Sequence, residues 1–473
     1  MTQTITIDPV TRLEGHGKIT IQLNSQGEVE DAHFHVTQVR GFEKFSEGRP
    51  FYEMPSLTAR ICGICPVSHM LASAKACEAI MSVRIPHTAA QLRRMLNLAQ
   101  LVQSHALSFF HLSSPDLLLG MESDPKARNI FGVAAARPDL GIAGIGLRRF
   151  GQHIIELLGT KRIHTGWVVP GGVTEPLASA HRDEILAMLP EAYANLKLAL
   201  TAYKQIADTF KPEIKVFANF PSNYMGLINE DESIEFTDGA LRLIDPQGAI
   251  IEDGITASRF TEVIGEAVEN YSYTKFVYYK PLGYPQGSYR VGPLARLNIV
   301  KSMGMPQADK ELAEFKQLSS GPVESSFHYH HARLVEALYG IEKIEEILTD
   351  PLILDKHVRA TAGVNRLEGA GQIEAPRGTL NHHYKVDENG KITWASLVVA
   401  TGHNNNAMNK GVLQSAKAYV KDGKFTPGAL NRIEAVIRTF DPCLSCSTHA
   451  FGQMPLALTL VNTDGEVVDR VVR

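Results

Sequence analysis

Two Cys-x-x-Cys pairs, Cys62-Gly-Ile-Cys65 and Cys443-Leu-Ser-Cys446, stand near opposite ends of a 473-residue chain. A fold that uses them together must bring its two ends to one place. The pairs take four of the five cysteines. A lone pair reads as a redox disulfide, but a thioredoxin-like motif sits at the mouth of a strand-helix unit and gives no reason for a second pair. Four thiolates are also the tetrahedral set of structural zinc. Zinc ribbons, however, keep their pairs within one small module, whereas here nearly the whole protein separates them. A catalytic transition-metal centre is the third reading, and spacing alone leaves these alternatives open.

The flanks carry more. From Val67 to Val83, residues His69, Ser73, Ala76, Cys77 and Ile80 recur on one helical face. His69 lies one turn past Cys65, where an imidazole can donate a hydrogen bond to a metal-bound sulfur; the bland alternative is a satisfied core histidine. Cys77 belongs to no pair and reads as a buried, inert thiol.

Helical apolar spacing also runs through Thr88–Leu112, Pro176–Phe210 and Ser326–Thr349. Strand alternation marks the N-terminus (Ile19, Ile21 and Leu23, then Ala32, Phe34 and Val36), with further β patches at Ala240–Asp253 and Leu380–Ala400. No repeat or linker interrupts the chain. The expected fold is α+β and mainly helical, a central bundle of long helices with small peripheral β-sheets. A net charge of −4 with interspersed signs gives no hint of nucleic acid. The absence of a long apolar run or basic leader disfavours membrane insertion, and thiols without a disulfide framework suit a reducing cytoplasm. Gly141-Ile-Ala-Gly144-Ile-Gly146 lacks the order of a dinucleotide fingerprint.

Asp8-Pro-Val-Thr-Arg-Leu-Glu14-Gly-His16, Arg40-Gly-Phe-Glu43, Arg60-Ile-Cys62-Gly-Ile-Cys65-Pro-Val-Ser-His69, Gly292-Pro-Leu-Ala-Arg-Leu297, Glu374-Ala-Pro-Arg377-Gly and Asp441-Pro-Cys443-Leu-Ser-Cys446-Ser-Thr-His449 occur in this order along the whole chain. Together they resemble the signatures of nickel-iron hydrogenase large subunits. In finer wording they are most similar to those of cytoplasmic, bidirectional, NAD-linked enzymes. Such a subunit splits dihydrogen into hydride and proton. A soft metal accepts the hydride while a nearby base takes the proton, and thiolates serve as ligands and bases.

The resemblance implies nickel held by all four cysteines, with Cys65 and Cys446 bridging to an iron that carries carbon monoxide and two cyanides. It makes Cys443 the initial proton acceptor and Glu14 a proton relay. Arg377 would lie over the open metal position with Asp116 and Asp441 as acidic partners, and Thr401 would hydrogen-bond a cyanide. Glu43, His449 and the Leu397 carbonyl would hold magnesium. Residues 1–449 would form one intertwined catalytic domain. Residues 450–473, which read as a terminal hairpin, would be an extension removed by a maturation endopeptidase after nickel-insertion factors have acted. With no cysteines left for an iron-sulfur cluster and no flavin expected in this chain, the implied partners are an iron-sulfur small subunit and a flavin-containing NAD-reducing module. Two readings compete: a noncatalytic scaffold like the related subunit of respiratory NADH dehydrogenase, which lacks the cysteine pairs, and a zinc-stapled structural protein.

Overall fold

The computed structural model describes residues 3–421, 423–448, 457–464 and 466–472. Four long helices, His87–Ala106, Pro138–Gly159, Ser179–Ala207 and Tyr329–Thr349, pack in a ring, each against the next and the last against the first. Their apolar stripes meet inside, through residues such as Leu96, Val102, Leu147, Ile154, Leu196 and Ile341. The α+β, mainly helical architecture anticipated from the sequence is the one observed.

Two departures have clear causes. The expected Thr88–Leu112 helix changes pitch after Ala106 and continues as a π turn, Leu107–Ser113, into Ser114–Leu119. Pro115 has no N–H for the carbonyl one turn back, and the Ser114 hydroxyl takes the Phe110 carbonyl, so the ladder is re-spaced there. The Pro138–Gly159 helix carries Gly141, Gly144 and Gly146 in its first half; low intrinsic propensity hid it, and packing between two other bundle helices overrides that propensity.

The sheets are small and lie around the bundle. Gln3–Ile7, Gly17–Leu23 and Val29–Val36 form an antiparallel meander. Asn223–Ile228, Ala240–Ile244 and Ile250–Ile255 form another, which a short parallel strand, Tyr289–Arg290, extends. A third meander, Glu368–Ala375, Gly378–Val386 and Ile392–Val398, runs with Ile373 opposite Leu380 and Asn381 opposite Val398. Its first strand packs on the Pro66–Met81 helix. Contact is backbone to backbone: a Cβ at Gly371 would come within 2.2 Å of the Ala72 carbonyl oxygen. Ala457–Val461 and Val467–Val472 pair as a hairpin in which Leu460, Val461, Val467, Val468 and Val471 are all exposed. Among the described residues no helix is long and apolar enough to cross a membrane.

Candidate active site

Cys65 is the N-cap of the Pro66–Met81 helix, and Pro66 fills a first-turn position where the missing N–H costs nothing. Cys62 Sγ, one turn earlier, accepts from the Ile64 and Cys65 amides at 3.2 and 3.5 Å. The second pair follows the Pro427–Phe440 helix. Asp441 ends that helix in the left-handed region, at φ 53°, and turns the chain back toward the first pair. The four sulfurs then lie within 4.8 Å of one another, all buried. Cys62 is 3.3 Å from Cys443, Cys65 is 3.4 Å from Cys446, and Cys443 is 2.8 Å from Cys446. A small cavity at their edge is lined by Cys65, His69, Arg377, Thr401, Cys443 and Cys446, among others.

Hydrogen bonding from Cys443 draws the Cys62 thiol well below its ordinary range, while burial pushes Cys443 and Cys446 well above theirs. Four thiolates so close cannot all ionise in a low dielectric without a cation among them. Bound metal resolves that conflict, and the all-sulfur donor set fits a soft transition metal. Cys77 lies apart, fully buried, with its thiol donating to the Phe51 carbonyl at 3.1 Å.

Glu14 reaches the second pair through a turn at Gly15, which has φ +88° and lies so close that a Cβ would meet Leu444 Cβ at 2.7 Å. The Leu444 amide donates to the Glu14 carbonyl at 3.2 Å. The Glu14 carboxylate accepts from Cys443 Sγ at 3.1 Å, the Ser445 amide at 3.0 Å and Ser445 Oγ at 2.5 Å. Arg377, fully buried, donates through Nε to the Asp441 carbonyl at 2.6 Å and pairs through Nη2 with the Asp441 carboxylate at 3.0 Å. Burial opposes its charge, but Asp441 and the cysteine sulfurs hold the guanidinium protonated.

Asp116 is not a partner of Arg377. It bonds instead to Arg12 at 2.5 Å, Arg438 at 2.6 Å and the Asn431 amide at 3.0 Å. Burial would raise its carboxyl, yet Arg438 and Arg12 hold it below the ordinary range. The π turn just before it resets the direction of this segment, and two arginines from other elements outcompete one already engaged by Asp441.

Thr401 Oγ1 accepts from the Cys443 amide at 3.0 Å, which leaves its own proton to donate toward the cavity it lines. His69 lines the same cavity, and its Nδ1 is 3.1 Å from His382 Nε2. Glu43 accepts from the Leu397 amide at 2.8 Å. Nearby, Lys275 pairs with Glu266 at 2.7 Å; against its burial, Glu266 and Glu43 hold it charged. His449 lies outside the described residues. Residues that local sequence reasoning missed are Ser445, which grips Glu14, and Ser104, 3.4 Å from Arg377 Nη1. Ser445 sits between the two cysteines of a pair, and that position was its only signal.

Comparison with known proteins gives the same answer from a different direction. Residues 4–39 match the HoxL-like family, and residues 40–127 and 228–449 match the family described as nickel-dependent hydrogenase. The subunit beta of the NAD-reducing hydrogenase HoxS of Cupriavidus necator is 40% identical over 100% of both chains. A crystal structure of an NAD+-reducing NiFe-hydrogenase in the hydrogen-reduced state superposes with a TM-score of 0.92 at 42% identity, covering 94% of this chain and 99% of the other. The as-isolated Ni-Fe-Se hydrogenase of Desulfovibrio vulgaris Hildenborough gives a TM-score of 0.78 at 25% identity, over 95% and 100% of the two chains.

Proposed function

Because the chain belongs to the nickel-dependent hydrogenase family, as a large catalytic subunit, we propose that Cys62, Cys65, Cys443 and Cys446 hold a nickel-iron centre. Cys65 and Cys446 would be the cysteines that hold iron as well as nickel, the iron carrying carbon monoxide and two cyanides. When bound, that centre supplies the soft, electron-rich site for reversible heterolytic cleavage of dihydrogen. The observation that carries the reading is convergence: four sulfurs from both ends of the chain, with Glu14 against one of them and Arg377 over the same cavity. A zinc staple needs the sulfurs alone and leaves Glu14 and Arg377 without a use. A noncatalytic scaffold has no need of either cysteine pair.

Cys443 accepts the first proton, and Glu14 relays it outward across the 3.1 Å contact. The Ser445 amide and hydroxyl fix the carboxylate in place for that exchange. Arg377, kept charged by Asp441, orients and stabilises charge rather than acting as a base. The Thr401 hydroxyl, whose proton is left free by its bond from the Cys443 amide, would donate to a cyanide on the iron. Glu43, the Leu397 carbonyl and His449 would hold a magnesium ion.

Electrons leave through an iron-sulfur small subunit to a flavin-containing module; reduction of NAD agrees with the name of the Cupriavidus necator relative, a subunit of an NAD-reducing hydrogenase. The assembly works in the cytoplasm. Residues 1–449 are the catalytic domain, and residues 450–473 are removed by a maturation endopeptidase once nickel has been inserted; the exposure of the hairpin's apolar side chains supports this division. The deciding experiment is elemental analysis with infrared spectroscopy of the purified complex. Nickel and iron in equal amounts, with bands of metal-bound carbon monoxide and cyanide, are expected; zinc alone would overturn the reading.

A further inference from the structure

Of the ordered motifs in the sequence, Gly292-Pro-Leu-Ala-Arg-Leu297 is the one that the proposed function leaves without a role. It forms a short helix, Pro293–Ile299, with Gly292 as N-cap and Arg296 one turn on, where the Arg296 amide donates to the Gly292 carbonyl at 2.9 Å. Both residues meet the segment that carries Arg377. A Cβ at Gly292 would come within 2.7 Å of the Arg377 carbonyl oxygen, so the start of the helix lies directly on that backbone. The Arg296 side chain reaches the two residues before Arg377, donating to the Ala375 carbonyl at 3.1 Å and to the Pro376 carbonyl at 3.2 Å.

Those carbonyls matter because Arg377 stands in a tight turn. Ala375 pairs with Gly378, so Pro376 and Arg377 alone connect the two strands, and Pro376 has no N–H with which to anchor itself. Arg296 can anchor the turn because it is itself held on every side. Arg296, Glu336 and Glu374 are each 0% exposed. Glu336 takes Nε at 2.6 Å and Nη2 at 2.7 Å as a fork, and Glu374 takes Nη1 at 2.5 Å. With the two carbonyls, all five N–H groups of the guanidinium are used. His105 Nε2 lies 2.8 Å from Glu336, and the neighbouring Ser104 Oγ lies 3.4 Å from Arg377 Nη1, so one bundle helix braces Glu336 and meets Arg377 as well. We propose that Arg296 is a positioning residue for Arg377: by binding the Ala375 and Pro376 carbonyls while Glu336 and Glu374 hold it still, it sets where the Arg377 guanidinium stands at the sulfur cavity. Asp441 fixes the guanidinium end, and Arg296 fixes the backbone from which it extends. A lysine at position 296 keeps the charge that the two glutamates face, but its donors sit on one atom and cannot span both carboxylates and both carbonyls.

The inference rests on the nickel-iron reading, and the test separates the two. Equal nickel and iron with diatomic infrared bands in the wild-type complex establish the centre; zinc alone removes that reading and leaves the amide-exchange measurement standing. Amide hydrogen exchange, read by mass spectrometry, compares wild type with Arg296→Lys. Faster exchange is expected in the 375–379 turn with the four bundle helices unchanged. A turn as protected as in wild type would overturn the proposal, and so would loosening throughout the bundle, the mark of a structural role alone. A variant that loads no metal is read in the same way on the unloaded chain, and Glu336→Gln, which breaks the fork but leaves Arg296 in place, is the milder variant should Arg296→Lys not fold. In loaded enzyme, Arg296→Lys should lower turnover per nickel by about three- to tenfold, no more than when Arg377 itself loses its fork. In an Arg377→Ala background, where no guanidinium is left to misplace, the same change should alter turnover by less than about twofold. Unchanged turnover in the single variant, or an undiminished effect in the Arg377→Ala background, would overturn the proposal.

Discussion

Cys65 takes its position from the helix it caps, and Cys62 from two amides of the same loop. Cys443 caps and Cys446 lies within a four-residue turn, Leu444–Ser447, held by Glu14, 429 residues away from Cys443 in sequence, and by Thr401, while Arg377 binds Asp441 just before it. The first pair's sulfurs are therefore set by their own loop and helix, with His164 and Gln103 reaching only the loop's Cys62 and Ile64 carbonyls, whereas the contacts to the second pair's sulfur and amide come from distant segments. Chemistry follows the same division. Of the groups that handle protons and charge, Glu14 and Ser445 touch the second pair or its turn, and Arg377 is bound to Asp441 two residues before Cys443. A side chain imported from a distance can be exchanged or tuned without rebuilding the element that carries the sulfur, which is what a catalytic ligand needs and a structural one does not.

The hardest test of that division is the loss of one sulfur. Cys446→Ser exchanges a soft donor for a hard one; nickel is expected to be lost and hydrogen-deuterium exchange abolished, with far-UV circular dichroism unchanged because no helix of the bundle depends on this turn. Retained nickel and exchange would show that three sulfurs suffice. Next in size is Glu14→Gln. The amide keeps the acceptor for Ser445 and cannot carry a proton away, so metals stay and exchange falls by ~10²–10⁴-fold, the usual span for a positioned acid-base group. Undiminished exchange would move the proton exit away from the second pair and erase the asymmetry.

How far the sequence reveals this arrangement depends on the range of the interaction. The helix expected over Val67–Val83 is observed at Pro66–Met81, since its period is carried by neighbours in sequence. Both sulfur pairs, Glu14, and Arg377 with Asp441 were legible through ordered motifs and now lie in contact. Asp116 was misplaced because its partners, Arg12 and Arg438, approach from the two ends of the chain, and no local pattern records which arginine a buried carboxylate will meet. The His69–His382 contact spans 313 residues and joins a helical period to a strand period, so each half was visible and their meeting was not. The Pro138–Gly159 helix was hidden by its own glycines, whose cost is met by packing that composition does not show.

A smaller effect is expected at the charge above the cavity. Arg377→Lys keeps the positive charge and loses the planar fork that binds the Asp441 carbonyl and carboxylate together. Turnover should fall about tenfold, less than the ~10²–10³-fold that follows removal of an electrostatic donor outright. Turnover measured per nickel checks this. A loss as deep as that of Glu14→Gln would make Arg377 a proton carrier and not an orienting charge.

The least effect on catalysis, and a clear one on stability, is expected from Asp116→Asn. Asp116 belongs to the cluster with Arg12 and Arg438, away from the sulfurs, so turnover per nickel should remain at the wild-type level. Removing a buried carboxylate that faces three guanidinium groups, those of Arg12, Arg438 and Arg128, costs about 3 kcal/mol, the low end for breaking a buried pair, since Glu434 still binds Arg438. The sign with pH follows from the lowered carboxyl. Its stabilisation is complete above the unfolded-state value of ~3.9 and is lost as pH falls through the folded-state value. The stability gap between wild type and Asp116→Asn should therefore be constant from neutral pH down to ~4 and close below it. Denaturant titrations across that range measure the gap. A variant that instead loses turnover per nickel at neutral pH would tie this cluster to the second cysteine pair after all, and the chemistry would no longer be confined to the turn that Glu14 holds and the Arg377–Asp441 pair beside it.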